Sequence, residues 1–278
     1  MTLSYIPADT NDEGILKAAA SGVLPNGSPV VVNADGTVSV ISESTQSLGS
    51  LTVYESGNST YNSAVFDSTN NKVVIAYQDG GNSDNGTAIV GTVSSTSISF
   101  GSAVVFNSVT TRPGAATFDS SNNKVVIAYR GGSGGSLADG IAIVGTVSST
   151  SISFGSATVF EAASTLEMES AFDSNSNKIV IAYRDGGNSD HGTAIVGTVS
   201  GTSISFGTPF VFVDDVYSAT SVTFDSNSKK IVASFNDDDN SDIGTSAVIT
   251  VGFDNRGEVA DGDHALVDTQ GAIADNLS

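Results

Sequence analysis

The chain has 278 residues, of which 10 are basic and 30 are acidic, and its net charge is −20. Contact with nucleic acid depends on clusters of Lys and Arg, so this charge excludes unaided binding to DNA or RNA. The absence of Cys excludes a disulfide framework and zinc–cysteine sites. No secretion signal and no apolar stretch of membrane-spanning length is recognisable, so no membrane insertion is predicted.

The N-terminal segment, residues 1–45, is predicted to contain a β-hairpin. Residues 22–36 combine apolar runs with a turn that contains Gly. Thr10–Glu13 fits a helix capping box, whereas an alignment with the C-terminal part of the chain places residues 15–20 opposite a strand-like run. Residues 15–20 are therefore predicted to form either a helix or a strand.

Four near-copies of one segment follow, and we number them repeats 1 to 4. Each contains the tripeptide Phe-Asp-Ser, with the Phe at positions 66, 118, 172 and 224, so the copies are spaced 52, 54 and 52 residues apart. Each tripeptide is followed by a Lys and an apolar run, such as Lys72–Tyr77. A repeat of this length is one supersecondary unit that buries its apolar faces against its neighbours.

Each repeat is predicted to form four antiparallel strands, which makes the chain all-β. In repeat 1 the strands cover residues 61–66, 72–77, 87–93 and 97–106, with turn residues between them. The run 72–77 is continuously apolar, as expected for an inner strand covered on both faces. Four strands in about fifty residues is the size of a β-propeller blade.

The sequence pattern of the fourth strand predicts how the repeats close. It occurs four times, first at residues 48–54, ahead of repeat 1, whereas repeat 4 ends near Phe253 without one. We therefore predict a four-bladed β-propeller over residues 46–253, closed by strand 48–54 joining the last blade, because closure removes unpaired edges. The alternative is an open or intertwined β-array whose missing strand comes from another subunit. The Phe of each Phe-Asp-Ser is expected to be buried between blades.

The C-terminal segment, residues 254–278, resembles the N-terminal one. Residues 257–271 align with residues 22–36 at a shift of 235 residues and are also predicted to form a β-hairpin. Two related hairpins that flank the repeats predict a small second module formed by both termini.

No enzymatic activity is predicted. The two His residues lie in no catalytic motif. Propeller enzymes that cleave sialic acids need a cluster of Arg for the substrate carboxylate. The four Arg of this chain are spread along the sequence, which predicts no such cluster; they are Arg112, Arg130, Arg184 and Arg256.

Acidic loops between the second and third strands offer oxygen ligands of the type that calcium takes. No cofactor is predicted except for calcium as a candidate. Its candidate ligands are Asp79, Asp84, Asp185, Asp190, Asp237 and Asp242. The alternative is that Asp, Asn and Gly are there as turn formers.

Differences between the four copies gather in two classes of loop. These are the loops between the second and third strands and the links between repeats, which we expect to emerge at one face, opposite the Lys-bearing turns. Variable loops on a constant frame are typical of binding surfaces, although neutral drift explains the variation equally well. The candidate receptor-binding residues on this face are Tyr217, Arg112, Asp84, Asp190 and His191.

The amino-acid sequence of the repeats resembles that of virion-associated proteins of marine tailed bacteriophages. The resemblance rests on Phe-Asp-Ser-x-x-Asn-Lys-Val-Val-Ile-Ala-Tyr, on Gly-Thr-Ala-Ile-Val-Gly-Thr-Val-Ser and on Ser28–Ser39, and it covers about residues 22–278. It implies a tail fibre or adhesin involved in host attachment, at the virion surface after assembly in the host cytoplasm. The alternatives are a capsid decoration protein and, less favoured, a secreted lectin. The implied partners are other virion proteins, a host surface glycan or protein, and further copies of the chain.

Overall fold

The computed structural model describes residues 19–24, 27, 29–41, 46–131, 139–237, 243–252, 266–267 and 273–274. For residues 215–220 and for the last two pairs it describes the backbone alone. The chain divides into two compact units, residues 1–49 and residues 50–278.

The first unit contains the predicted hairpin. Strands β1 (Val30–Val32) and β2 (Val38–Val40) pair antiparallel, and the turn between them has Gly36 at a φ of 78°. The carboxylate of Asp35 accepts hydrogen bonds from the backbone N–H and the hydroxyl of Thr37, which fixes the turn. Ala20 forms a parallel bridge with Val38. Residues 15–18, for which helix and strand were alternative predictions, lie outside the described residues.

The second unit holds the repeats. Repeat 1 consists of β3 (Ser59–Asp67), β4 (Lys72–Asp79), β5 (Asn85–Ser94), β6 (Ser97–Phe100) and β7 (Val104–Thr110). Repeat 2 consists of β8 (Arg112–Asp119), β9 (Lys124–Gly131), β10 (Asp139–Ser148), β11 (Ser151–Phe154) and β12 (Thr158–Glu161). Repeat 3 consists of β13 (Thr165–Asp173), β14 (Lys178–Asp185), β15 (His191–Ser200), β16 (Ser203–Phe206) and the first part of β17 (Phe210–Asp225). Repeat 4 consists of the second part of β17, β18 (Lys230–Asp237) and β19 (Ile243–Ile249).

Each of the first three repeats forms an antiparallel sheet with one split edge. In repeat 1, β5 pairs with β4 on one side and with both β6 and β7 on the other. Strand β6 pairs with the end of β5, and β7 pairs with its beginning. The predicted fourth strand 97–106 is therefore two strands, because each one pairs with a different half of β5. The all-β prediction is confirmed, and within the described part of the chain no helix is long and apolar enough to cross a membrane.

The sheets stack face to face in chain order, and the inner strands supply the core. Val74 and Ala76 of repeat 1 pack against Val125, Ile127 and Tyr129 of repeat 2. The alternate residues of β9 face repeat 3, so the run from Val125 to Tyr129 is buried throughout. This confirms that the continuous apolar run is a strand covered on both faces.

Neighbouring sheets touch at both of their edges. At the first strand, the backbone N–H of Ala116 donates to the hydroxyl of Ser63, at 2.9 Å. At the opposite edge, Gly101 lies so close to the carbonyl oxygen of Thr150 that a Cβ would overlap it. In a four-bladed ring, each sheet is rotated by a quarter of a turn relative to the next sheet, and this rotation would separate the outer edges of neighbouring sheets. The four-bladed ring is therefore not confirmed, and extensive contacts among the described strands join only neighbouring repeats.

The prediction that strand 48–54 completes the last blade is wrong. Residues 48–54 form no strand. Tyr54 packs its ring against Tyr77 at 5.3 Å and against Phe100 at 5.8 Å, both in repeat 1. Phe106 contacts Tyr129 and Phe154 of repeat 2 in the same way. The segment shares the sequence pattern because its aromatic residue fills the same pocket of the repeat that follows it.

The Phe of Phe-Asp-Ser is packed between sheets in three of the four repeats. Phe118, Phe172 and Phe224 are partly buried against the cores between successive repeats. Phe66 is 54% exposed, so its predicted burial is wrong. Phe66 is exposed because no described sheet covers the face of repeat 1 that carries it.

The C-terminal hairpin is present as β20 (Leu266–Val267) paired with β21 (Ile273–Ala274). At the predicted shift of 235 these residues correspond to β1 and β2. The pairing of the two hairpins into one module stays a prediction.

Candidate functional site

Every repeat has a β-bulge near the start of its first strand. The register shifts between Thr60 and Ser63 in repeat 1, and at the corresponding places in repeats 2, 3 and 4. Tyr61 and Glu167, which lie in the bulges of repeats 1 and 3, have φ values of 52° and 45°. This region is uncommon for residues other than glycine, and outside a turn it marks strained backbone. A bulge re-aims side chains out of the regular alternation of the strand.

The bulges are also where the first strands differ most. The central pairs are Tyr61-Asn62, Pro113-Gly114, Glu167-Met168 and Ala219-Thr220, whereas the Phe-Asp-Ser at the end of the same strand is constant. Tyr61, Asn62 and Glu167 are exposed, and variable exposed residues on a constant frame are typical of a binding surface, whereas Pro113 and Met168 are buried.

The bulges of repeats 1, 2 and 3 line one groove of about 450 Å³, which we call the bulge groove. Its polar and aromatic lining consists of Tyr61, Asn62, Arg112, Arg130, Glu167 and Glu169. Strand pairing brings the two arginines together, since Arg112 of β8 lies opposite Arg130 of β9 in the register.

The arginines form a cluster. Burial lowers the pKa of Arg130, and the positive charges of Arg112 and Arg184 lower it further. The guanidinium carbon of Arg112 lies 4.9 Å from the centre of the Tyr61 ring, an arrangement that attracts a cation to an aromatic face. The Nε atom of Arg112 is buried and has no hydrogen-bond partner. The backbone of Arg184 pairs with that of Leu166, which lines the groove, and the Nε of Arg184 lies 3.4 Å from a carboxylate oxygen of Asp190.

Two carboxyl groups share the groove with these cations. Glu167 is exposed, whereas Glu169 is half-buried and burial raises the pKa of its carboxyl. The groove can therefore bind an anionic group through guanidinium N–H donors and accept hydrogen bonds from hydroxyl groups beside it.

The prediction that the arginines form no cluster is wrong. Arg112, Arg130 and Arg184 are far apart in sequence, but the register places Arg112 opposite Arg130 and Leu166 opposite Arg184, in adjacent sheets. Strand register cannot be read from the spacing of single residues along the chain, which is why the sequence did not reveal the cluster.

The structure places the predicted receptor-binding residues at one end of the sheets. The register joins Ser59 to Asp79 and Asp79 to Asn85, so the links and the loops after the second strands share this end, as expected. The Lys-bearing turns lie at the other end, where Asp67 pairs with Lys72.

Of those predicted residues whose side chains the structure describes, only Arg112 lines the groove. Asp190 forms an ion pair with Arg184, and the backbone carbonyl of Asp84 accepts a hydrogen bond from the N–H of Thr111. His191 is half-buried at the start of β15. Tyr217 pairs with Asp237 through the backbone, and its side chain lies outside the description.

Among the described residues, the candidate calcium ligands form no group suited to a metal ion. Asp185 is buried, and its carboxylate accepts a hydrogen bond from the N–H of Gly187 at 2.9 Å, which fixes the loop. Asp242 lies outside the described residues. The geometry of Asp185 favours the turn-forming role of these residues.

Tyr61, Arg130, Glu167 and Glu169 were missed by the sequence interpretation. Residues 61–66 were treated as a regular alternating strand, so the bulge was not anticipated. The available signal was the variation at equivalent positions: Gln78, Arg130, Arg184 and Asn236 hold one place in the four repeats.

Comparison with known proteins adds no family. No protein-family model matches the chain, and no curated protein sequence matches it.

Proposed function

We propose that this chain is a non-enzymatic surface component of a bacteriophage virion, a tail fibre or adhesin that contacts the host through the bulge groove. The observation that carries the proposal is that the bulges lining one groove hold a different residue pair in each repeat, whereas the Phe-Asp-Ser of the same strands and the second and third strands of repeats 1 to 3 are repeated almost unchanged. The resemblance of the repeats to phage virion proteins supports the same function.

The pattern of variation favours an adhesin over a capsid decoration protein. A decoration protein meets many identical coat subunits, and four identical repeats could meet them with identical residues. The uniform end of the array, with its Phe-Asp-Ser turns and Lys residues, fits contacts to other virion proteins. The varied end fits a host glycan or surface protein.

Localisation on the virion tests the proposal. Antibody raised against the whole chain and labelled with gold should bind the tail tip or tail fibres in electron micrographs of purified particles. Labelling spread evenly over the capsid would favour the decoration protein, and absence of labelling on intact and detergent-opened particles would refute a virion component.

A turnover assay tests the absence of enzymatic activity. The purified chain should release no sugar from extracted host surface glycans during prolonged incubation. Sugar release that the Glu167→Gln or Glu169→Gln variant abolishes would overturn this part of the proposal.

A further inference from the structure

We infer that copies of this chain stack head to tail, with repeat 4 of one copy packed on repeat 1 of the next copy. Residues 50–54 of that next copy then supply the strand that the last sheet of the first copy lacks. Two uncovered sheet faces, one unpaired strand edge and one unpaired segment lead to this arrangement.

Repeat 1 has an uncovered apolar face, which we call the head face. It includes Phe66, Val73 and Val93, whose equivalents in repeats 2 and 3 pack against the preceding repeat. Val93 is 51% exposed, whereas the equivalent Val147 of repeat 2 is 7% exposed. The head face therefore carries the residues of an interface without a described sheet to cover them.

Repeat 4 exposes the opposite half of the same interface, which we call the tail face. Val232 and Val248 are partners in the register of repeat 4, as Val74 and Val90 are in repeat 1. Val74 and Val90 are fully buried against repeat 2, whereas Val248 is 68% exposed. The chain builds this interface three times between its own repeats and exposes both halves of it at its two ends.

The sheet of repeat 4 also has a free strand edge. Among the described strands, β19 pairs only with β18, whereas β5 of repeat 1 pairs with β4 on one side and with β6 and β7 on the other. Ser246 of β19 is exposed, while the equivalent Ala88 of β5 is fully buried. A free edge presents unpaired backbone N–H and C=O groups, which are a template for a further strand.

Residues 50–54 have the sequence pattern of a fourth strand without a sheet of their own. Tyr54 packs on repeat 1 in the way that Phe106 of β7 packs on repeat 2. Because β7 pairs with β5 of the preceding sheet, the equivalent partner of residues 50–54 is the third strand of a sheet stacked ahead of repeat 1. Leu51 and Val53 are 90% and 77% exposed, as expected for a strand sequence without a partner.

Head-to-tail stacking of two copies satisfies all of these groups together. The tail face of one copy covers the head face of the next, and residues 50–54 of the next copy lie along β19. In repeat 1, Ala88 lies opposite Val104, so the equivalent pair across two copies is Ser246 with Thr52. A head-to-head dimer would leave β19 unpaired, which favours stacking in one direction.

The tail face is more polar than its equivalents, which weakens the association. Ser234 and Ser246 are exposed and stand where Ala76 and Ala88 of repeat 1 are buried. Stacking removes water from both hydroxyls, and the net charge of −20 on each copy adds a repulsion that salt screens. We expect a reversible association that tightens as salt is raised. Combining Ser234→Ala with Ser246→Ala should tighten it roughly tenfold, and a looser association would contradict the stacking.

Sedimentation velocity of the full chain tests the direction of stacking. The parent should form species larger than a dimer at high concentration and salt, since every bound copy keeps one free face. Phe66→Asp blocks the head face and Val248→Asp blocks the tail face, so each variant alone should stay monomeric and an equimolar mixture should form only dimers. The matched control is Val159→Asp, which adds the same charge at a residue of repeat 2 that is 52% exposed and should associate like the parent.

Disulfide trapping tests the added strand, because the chain has no Cys of its own. A mixture of the Thr52→Cys and Ser246→Cys variants should form a cross-link between chains on mild oxidation. The control replaces Ser246→Cys by Ser234→Cys. Ser234 lies opposite Ser246 on β18, so it is one strand further from Thr52, at about 10 Å, and a disulfide cannot span that distance.

Three outcomes would overturn the inference. A parent chain that stays monomeric at every concentration and salt would refute the association. A Val248→Asp variant that associates like the parent would indicate head-to-head contact instead. Cross-linking of Thr52→Cys that is as efficient with Ser234→Cys as with Ser246→Cys would refute the added strand. Thermal melts of the dilute variants should match the parent, because Phe66 and Val248 are exposed in the single chain.

Discussion

Phe66 and Phe118 hold the same place in successive repeats, but only Phe118 is packed between two sheets. Phe118 contacts the core between repeats 1 and 2, whereas 54% of Phe66 is exposed. We expect Phe118→Ala to lower the free energy of unfolding by about 3 kcal/mol, the lower end of the range for a packed Phe. Phe66→Ala should cost less than about 1 kcal/mol. Urea unfolding followed by circular dichroism measures both, and equal costs would show that a further sheet covers Phe66.

Gly155 and Gly207 form a second matched pair, which tests contact at the outer edges of the sheets. A Cβ on Gly155 would overlap the carbonyl oxygen of Thr202 in the next turn, whereas the nearest atom to a Cβ on Gly207 is the Val196 oxygen at 3.9 Å. Neither Gly needs a left-handed φ, so backbone strain does not distinguish them. Gly155→Ala should cost about 1–3 kcal/mol through overpacking, and Gly207→Ala within about 0.5 kcal/mol.

Thermal melts of these two Gly variants provide the measurement. A Gly155→Ala protein that melts like the parent would mean that the outer edges separate in solution, as they do in a propeller.

The Asp of Phe-Asp-Ser holds the turn that follows it. In repeat 2, Asp119 is fully buried, and its carboxylate accepts the backbone N–H groups of Ser121 at 2.9 Å and Asn122 at 3.0 Å. In repeat 4, Asp225 makes the same bonds but is exposed. Asp119→Ala should cost about 2 kcal/mol, because the turn loses a charged acceptor at a fully buried position, where water replaces the carboxylate poorly.

Asp225→Ala is the control for this prediction and should cost less than about 1 kcal/mol, since water can bind the freed N–H groups. The difference between the two variants is read from urea midpoints at constant slope. A larger loss for Asp225→Ala would contradict the burial argument.

Glu169 predicts a pH dependence of stability. Burial raises the pKa of its carboxyl above 4.5 in the folded state, so the folded protein holds this proton more tightly than the unfolded chain does. The stabilising contribution of the protonated form is present at low pH and is lost as the pH rises through the raised value. Glu169→Gln should therefore raise the free energy of unfolding at neutral pH, and the gain should shrink towards about pH 4.

Urea titrations at several pH values measure this gain, with Glu167→Gln as the control because its side chain is exposed in the same bulge region. A gain from Glu169→Gln that is the same at every pH would mean that the effect is unrelated to ionisation.

The strands were predictable, whereas their arrangement was not. The run Lys72–Tyr77 and its copies carried enough apolar residues to identify an inner strand and its burial on both faces. The partner of residues 48–54 was wrongly assigned, because an aromatic residue that packs on the next repeat leaves the same sequence pattern as one that pairs within its own sheet. The groove depends on a bulge at Tyr61 and on the register of Arg112 with Arg130, and neither produces a local sequence signal.

The bulge groove takes its walls from three successive repeats, and this has a mechanical consequence. Tyr61 belongs to repeat 1, Arg130 to repeat 2 and Glu167 to repeat 3, so a ligand that touches all three bridges two interfaces between sheets. Separating the stacked sheets would dismantle the site even if each sheet stayed folded. By mass action, an occupied groove resists that separation. If the chain attaches a particle to a host as proposed, part of the tension on that attachment would be borne by the bound ligand, which holds three sheets together.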